Sequence, residues 1–205
     1  MQKDSILNII LVGVGLCIVC GAVISTVAVS LKDQQEQNVI FDQQSKIIDA
    51  ARLLEVYPSS QEALASIEEV VVNLNDGQPS GFPPEQYDLD SILRDSSQHT
   101  VLNGSDDIAM ISVRENLSKV YIEYRNNELK TLILPVRGYG LWGTLYGYLA
   151  LDSDLNTIVG LEFYKHKETP GLGAEVDNPN WKKLWIGKKV FDENGLVAVS
   201  YTHLR

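Results

Sequence analysis

An uncharged apolar segment near the start of the chain constrains its fold more than any other feature. Residues 6–31 contain no Asp, Glu, Lys or Arg. At about 1.5 Å per residue, a helix of this length exceeds the roughly 30 Å hydrocarbon core of a bilayer. The segment therefore predicts a transmembrane helix over residues 6–31 that lies in the lipid bilayer, preceded by a short N-terminal extension, residues 1–5.

Two other interpretations of this segment are weaker. A cleaved signal peptide has an apolar region of about 7–15 residues, and no small-x-small cleavage site ends this longer one. Lipid attachment at Cys20 requires small residues before it, but Cys17, Ile18 and Val19 precede it here. We therefore favour a retained helix. One lysine lies on each side of the segment, so charge alone does not determine its orientation.

Both cysteines of the chain, Cys17 and Cys20, lie within the apolar segment. They are three residues apart and share a helix face, where they either pack as small apolar residues or bind an intramembrane iron centre with a partner. We favour packing. The rest of the chain has no cysteine, which excludes a disulfide or a thiolate metal site there.

Charge and motif content exclude several functional classes. The net charge of −10 argues against nucleic-acid binding, because no basic patch is available to neutralise phosphates. No G-x-S-x-G elbow, no H-x-x-x-H pair and no Rossmann fingerprint in its strand–helix context is found. We predict no catalytic side chain and no metal ligand. The histidines are interpreted as solvated loop residues, and the candidate glutamates as too far apart for acid–base work; they are His99, His166, His203, Glu162, Glu168 and Glu175.

The remaining residues predict an α+β fold with an antiparallel sheet and short flanking helices. Residues 34–44 are a polar, amide-rich connector, and an apolar stripe predicts a short helix over residues 45–56. Ser59 and Glu62 predict the capped start of another helix, and residues 78–105 predict a long loop. Strands are predicted over residues 69–74, 119–125, 129–136, 143–151 and 157–164, followed by a helix beginning at Asn178-Pro179 and a last hairpin over residues 188–199.

Two glycine-rich segments carry the functional signal. Residues 140–143, Gly-Leu-Trp-Gly, present an indole between two glycines, and residues 168–173 read Glu-Thr-Pro-Gly-Leu-Gly. Few side chains block these segments, so backbone N–H groups can approach a flat or anionic ligand closely. Each segment also has a purely structural interpretation, because Trp142 could pack in the core and the second segment could be a surface turn against Trp181.

Taken together, the motifs resemble those of a known family. The chain contains P-V-R-G-x-G-L-W from Pro135, L-A-L-x-x-D-L-N-T from Leu149, E-T-P-G-L-G-x-E-V-D-N-P-x-W from Glu168, and G-K-K-V from Gly187. This pattern is similar to the C subunit of the bacterial sodium-translocating NADH:quinone reductase. That family is a flavoprotein with an FMN-binding domain outside the inner membrane.

The resemblance implies an FMN site without acid–base groups, in which the cofactor performs the redox chemistry. The residues that it assigns to FMN, with Thr169 near the edge of the ring, are Gly140, Leu141, Trp142, Glu168, Thr169, Pro170, Gly171, Leu172 and Gly173. The implied function is electron transfer within a complex that oxidises NADH, reduces ubiquinone and pumps Na⁺ out of the cytoplasm.

The same resemblance implies a location, a domain division and partners. Residues 1–5 are expected in the cytoplasm, residues 6–31 in the inner membrane, and the soluble domain in the periplasm. Within it, residues 32–118 form the juxtamembrane connector and the helical and loop part, and residues 119–205 form the FMN-binding domain. The NADH and quinone sites and Na⁺ translocation are expected on other membrane and peripheral subunits of the complex.

One family motif does not occur in this sequence. The family attaches FMN through a phosphoester bond to the threonine of a later S-G-A-T motif, and residues 200–205 read Ser-Tyr-Thr-His-Leu-Arg. Thr202 lacks the preceding Gly-Ala, and we do not assign the attachment to it. We expect this chain to lack covalent FMN, to have an incomplete C-terminal domain and to be inactive in isolation.

Two alternatives remain. The related G subunit of the Rnf electron-transport complex is similar in plan, although the D-N-P-x-W and G-K-K-V motifs favour the quinone reductase. A membrane-anchored binding or assembly module without a redox role would use the same anchor, but it would not require both glycine-rich segments.

Overall fold

The computed structural model describes residues 6–198, and these form two compact units, one ending at Asp42 and the other starting at Gln43. The helices are α1 Ile6–Ala50, α2 Ser60–Ala65, α3 Leu89–Arg94 and α4 Pro179–Lys183, with 3₁₀ turns at Leu53–Glu55, Pro84–Gln86 and Gly173–Asp177. The strands are β1 Ile67–Asn73, β2 His99–Val101, β3 Val113–Glu115, β4 Leu117–Arg125, β5 Glu128–Tyr139, β6 Thr144–Asp152 and β7 Ile158–Lys165. The predicted class, one long apolar helix followed by an antiparallel sheet with short helices, is confirmed.

Helix α1 is long and apolar enough to cross a membrane, as judged by length and composition, with a mean hydropathy of 2.7 in its most apolar 18-residue window. Its 45 residues extend over roughly 68 Å at about 1.5 Å each. The helix continues through residues 34–44, for which the sequence predicted a polar connector. Residues 22–57 contain neither Gly nor Pro, so no helix-breaking residue interrupts them. Cys17 and Cys20 are both exposed on α1.

A five-stranded antiparallel sheet in the order β1-β4-β5-β6-β7 forms the base of the second unit. The β4–β5 turn contains Asn126 and Asn127, both with positive φ, as a tight hairpin turn requires. Strands β2 and β3 form a separate two-stranded sheet. The sheet places the β5–β6 connection next to the chain that leaves β7.

The main core lies between one face of this sheet and the residues at the end of α1. A cross-strand row runs through Tyr121, Ile133, Ala150 and Gly160, and the side chains become smaller along it. Ile47 and Ile48 of α1 are buried in the same cluster as the first three of these residues. A Cβ atom at Gly160 would collide with the carbonyl oxygen of Ala50, so only glycine allows the helix end to approach here.

Glu123 is a fully buried acid on the core-facing side of β4. Tyr57 Oη and Thr131 Oγ1 each donate a hydrogen bond of 3.0 Å to its carboxylate, and Arg125 Nε donates one of 2.6 Å. A buried charge is tolerated when it is paired and hydrogen-bonded in this way. The network therefore connects the chain after α1 to strands β4 and β5.

Two further predicted segments differ from the structure. Residues 78–105 were predicted as a loop but contain a 3₁₀ turn, α3 and β2. The Asp88 carboxylate accepts from the Asp90 N–H and Ile92 is buried, which stabilises the short α3. The last predicted hairpin forms no regular strands among the described residues, but its arms are joined by a bridge between Phe191 and Val197 and by hydrogen bonds from the Asp192 N–H to the Leu196 carbonyl and from the Ala198 N–H to the Val190 carbonyl. Its end, residue 199, lies outside the described residues.

Substitution of Gly160 tests the contact between the helix end and the sheet. Gly160→Ala is expected to lower the free energy of unfolding by about 1–3 kcal/mol, because the new methyl group meets backbone atoms that cannot rotate away. Urea unfolding of the full chain in detergent, followed by tryptophan fluorescence, measures the change. Gly104→Ala is the matched control, since nothing lies within 4 Å of a Cβ at that position. Equal stability of the two variants would contradict the contact.

Substitution of Glu123 tests the buried network. Glu123→Gln is expected to lower the free energy of unfolding by about 1.5–3 kcal/mol, because three donors lose a charged acceptor. Glu128→Gln, which removes the acid of an exposed pair with Lys130, is expected to cost less than Glu123→Gln, because solvent screens an exposed pair. The same urea titration measures both, and a smaller cost at Glu123 than at Glu128 would show that the network does not stabilise the fold.

Candidate functional site

The first predicted segment is the connection between β5 and β6, here called the tryptophan loop (residues 140–143). Its ends are close, because the Gly140 N–H donates to the Gly143 carbonyl at 2.8 Å. Leu141 is 78 % exposed and Trp142 is 63 % exposed. The interpretation of Trp142 as a core residue is therefore wrong, and the loop presents two large apolar side chains to the solvent.

The second predicted segment follows β7 and is here called the proline loop (residues 168–173). Gly171 has φ +74°, a left-handed conformation that favours glycine. The Leu172 and Ala174 N–H groups both donate to the Thr169 carbonyl, which makes a tight turn. Leu172, at the tip of this loop, is 72 % exposed. In the part of the chain that the structure describes, the N–H groups of Thr169, Gly171 and Gly173 donate no hydrogen bond to protein atoms.

The Glu168 side chain joins the two loops. Its Oε1 accepts a 3.1 Å hydrogen bond from the Trp142 N–H. A Cβ atom at Gly140 or at Gly173 would collide with the Glu168 carboxylate, so a glycine on each loop makes room for it. The structure thus brings the predicted residues of both loops together around one carboxylate. Their role in binding a cofactor stays a prediction.

Residues outside the two loops position the end of β5. Arg137 Nη2 donates to Glu115 Oε2 at 2.6 Å and to the Val113 carbonyl at 2.7 Å. Both groups of this ion pair are largely buried. The Tyr139 N–H donates to the Ala109 carbonyl at 2.8 Å. Strand β3 and the chain before it therefore support the strand that leads into the tryptophan loop.

His166 is a residue whose environment the sequence analysis missed. It was interpreted as solvated, but its side chain is only 16 % exposed. Its Nε2 lies 2.7 Å from Asp177 Oδ2, and its Nδ1 accepts the Glu168 N–H at 3.2 Å. The partner Asp177 lies eleven residues further on, beyond an irregular turn, and no short-range pattern in the sequence indicates such a contact.

The other candidate glutamates have separate partners. Lys46 and Lys182 pair with Glu162 at 3.4 and 2.5 Å, and the Asn178 side chain donates to Glu175. Neither glutamate contacts Glu168 in the described chain. Glu162, Glu168 and Glu175 are thus engaged separately, and the absence of an acid–base set stays a prediction.

Tyrosine side chains on β4, β6 and β7 form a row of rings. Centroid distances are 6.1 Å from Tyr146 to Tyr164, 4.9 Å from Tyr164 to Tyr148 and 5.7 Å from Tyr148 to Tyr121. Burial raises the pKa of Tyr121, Tyr148 and Tyr164 above the ordinary value, because the phenolate would lose its hydration. These rings stay neutral and serve as packing for the strands behind the loops.

The described chain has two other features that could suggest a ligand site. Residues 138–143 match the letters G-x-G-x-x-G, but they connect two antiparallel strands, whereas a dinucleotide fingerprint connects a strand to a helix. An open groove is lined by Asn156, Lys189, Phe191 and neighbouring residues. None of the residues predicted to bind a cofactor lines this groove.

Comparison with known proteins agrees with the geometry. Residues 140–200 match the sequence profile of the FMN-binding domain, and this range includes both loops. The chain is 43 % identical over 208 residues to the C subunit of the Na⁺-translocating NADH-quinone reductase of Pseudomonas aeruginosa, covering 97 % of this chain and 78 % of the relative. It is 39 % identical over 199 residues to the corresponding protein of Vibrio vulnificus, with the same coverage.

Solved structures give the same result. The crystal structure of Shewanella oneidensis NqrC superposes with a TM-score of 0.69 at 31 % identity, covering 77 % of this chain and 73 % of that one. The C subunit of the Na⁺-translocating NADH-quinone reductase from Parabacteroides distasonis gives a TM-score of 0.59 at 29 % identity, over 82 % and 74 % of the two chains. With this identity and coverage, the chain belongs to the NqrC family, the C subunits of the Na⁺-translocating NADH-quinone reductases.

Proposed function

We propose that this chain is the FMN-carrying electron-transfer subunit of a membrane complex that oxidises NADH, reduces ubiquinone and moves Na⁺ out of the cytoplasm. One observation supports the FMN site above all. Glu168 joins two glycine-rich loops that present exposed apolar side chains beside unpaired backbone donors, within the part of the chain that matches the FMN-binding domain.

The residues present fit a flavin. A flat aromatic ring needs apolar walls, and Leu141, Trp142 and Leu172 are apolar and exposed. Its carbonyl oxygens need donors, which the N–H groups of Thr169, Gly171 and Gly173 can supply. The proposed binding residues are thus Gly140, Leu141, Trp142, Glu168, Thr169, Pro170, Gly171, Leu172 and Gly173.

In this proposal the role of Glu168 is to hold the two loops in place. Its Oε1 is engaged by the Trp142 N–H, and both its oxygens lie against the glycine backbones. A negative charge at this place also disfavours addition of further negative charge nearby, which bears on how readily the site accepts electrons. When bound, FMN supplies reversible acceptance of electrons, and the chain binds it, orients it and shields one side from water.

The motifs and helices of this chain indicate which steps belong to partner subunits. A strand–helix dinucleotide fingerprint is missing from the sequence, and the described residues include one helix that could span a membrane. We therefore propose that partner subunits bind NADH and quinone and conduct Na⁺, and that this chain alone oxidises no NADH. We also propose that residues 1–5 lie in the cytoplasm, that residues 6–31 span the inner membrane, and that residues 119–205 form the flavin domain on the periplasmic side.

The mode of attachment is a separate part of the proposal. Covalent attachment in the family uses the threonine of S-G-A-T, and this motif does not occur among the 205 residues. For these residues we propose a reversible site formed by the two loops.

Titration with FMN tests the site. The full chain in detergent is expected to quench the fluorescence of added FMN, and Trp142→Ala is expected to raise the Kd about tenfold or more, which corresponds to about 1.4 kcal/mol of lost ring contact. Trp142→Phe keeps an aromatic face and is expected to stay close to the original chain. Leu196→Ala removes another exposed apolar side chain and serves as control. Equal affinity of the Trp142→Ala and Leu196→Ala variants would show that the tryptophan loop does not bind flavin.

A denaturing gel tests the attachment. When the chain is purified from a bacterium that attaches FMN to flavoproteins, its band is expected to be dark under ultraviolet light, while the native sample shows flavin absorbance. A fluorescent band would mean that a residue among these 205 accepts FMN covalently. A native sample without any flavin, together with no binding in the titration, would favour a binding or assembly module.

A further inference from the structure

The imidazole of His166 closes the base of the segment that contains the proline loop. It binds Asp177 across eleven residues, and Asp177 ends the 3₁₀ turn Gly173–Asp177. The chain from residue 166 to residue 177 is therefore a loop whose two ends are joined by side chains. Glu168 lies inside this loop, two residues after His166.

The two contacts of His166 determine its tautomer. A backbone N–H can only donate, so the Nδ1 that receives the Glu168 N–H at 3.2 Å must carry a lone pair. The single proton of a neutral imidazole is then on Nε2, which donates to Asp177 Oδ2 at 2.7 Å. The ring thus has a defined donor side and a defined acceptor side.

The Nδ1 atom of His166 constrains Glu168, the residue that joins the two loops. The bond to Nδ1 sets the direction of the backbone at Glu168, and this direction decides where the Glu168 side chain points. The carboxylate then accepts the Trp142 N–H at 3.1 Å. A continuous series of hydrogen bonds therefore runs from Asp177 through His166 and Glu168 to Trp142.

We infer that His166, as the tautomer protonated on Nε2, is a positioning residue for the FMN site and acts through Glu168. The inference rests on the proposed function, because it concerns the geometry of the flavin loops. His166 itself is mostly buried below the loop and donates to Asp177, so its part is to fix the backbone from which Glu168 reaches the tryptophan loop. The role predicts that the acceptor at Nδ1 matters more than the size of the ring.

Three substitutions of His166 separate hydrogen bonding from packing. His166→Asn keeps an acceptor near the position of Nδ1, His166→Gln is closer to histidine in volume but places its polar atoms further out, and His166→Ala removes both. The Asn variant is expected to bind FMN within about threefold of the original chain, and the Ala and Gln variants about tenfold more weakly, the typical effect of one lost hydrogen bond. If packing alone mattered, the Gln variant would bind better than the Asn variant.

Measurements on the flavin-free chain give a readout that does not depend on FMN. In the full chain in detergent, long-range ¹H–¹⁵N correlation is expected to show a protonated Nε2 and an unprotonated Nδ1 at His166. Amide exchange at Glu168 and Trp142 is expected to be about tenfold faster in His166→Ala and unchanged in His166→Asn, since the first loses the acceptor and the second keeps it. Asp177→Ala serves as a second variant that removes the partner of Nε2 and keeps the acceptor at Nδ1, so it is expected, like His166→Asn, to leave both amides unchanged.

The coupling between His166 and Glu168 completes the test. Because His166 acts through Glu168, the double variant His166→Ala/Glu168→Ala is expected to bind FMN no more weakly than Glu168→Ala alone. Additive losses, unchanged amide exchange in His166→Ala, or a proton on Nδ1 would each overturn the role of His166 while FMN binding by the original chain stands. An original chain that binds no FMN would overturn the proposed function and the role of His166 together.

Discussion

The candidate site depends on the contact of one carboxylate, that of Glu168, with the backbone of two glycine-rich loops. Glu168 Oε1 accepts the Trp142 N–H, and glycines at positions 140 and 173 leave the space that the carboxylate occupies. In the part of the chain that the structure describes, this is the one hydrogen bond that joins the tryptophan loop to the proline loop. This contact uses the Trp142 N–H of the first loop, and among the described residues the N–H groups of Thr169, Gly171 and Gly173 in the second loop donate to no protein atom.

The scaffold explains why the loops are adjacent at all. Antiparallel pairing of β6 with β5 and β7 places the β5–β6 connection and the exit of β7 at the same end of the sheet. The end of α1 packs on the opposite part of the same strands, where Gly160 permits a close backbone contact. The row of neutral tyrosine rings packs across β4, β6 and β7.

Much of the fold could be predicted from local patterns, and the reasons for success and failure are physical. Strand β4 carries a period-two pattern, β4 to β7 are bounded by turn residues such as Asn126 and Asn127, and the N-caps Ser59 and Asn178 act where expected. Both loops of the site were predicted, because glycine and proline mark close backbone approach. The bond between His166 and Asp177 and the burial of Glu123 depend on contacts distant in sequence, which no local pattern contains. The helical connector after residue 31 was missed because polar residues favour a helix and a solvated linker almost equally.

The most direct test of a flavin site around Glu168 is amide and indole NMR of the full chain in detergent during addition of FMN. We expect signals from both loops to shift together, namely the Trp142 indole and the amides of Thr169, Gly171 and Gly173, while those of the open groove at Asn156 and Phe191 stay unchanged. Shifts confined to that groove, or to only one of the two loops, would contradict a flavin site formed by both loops.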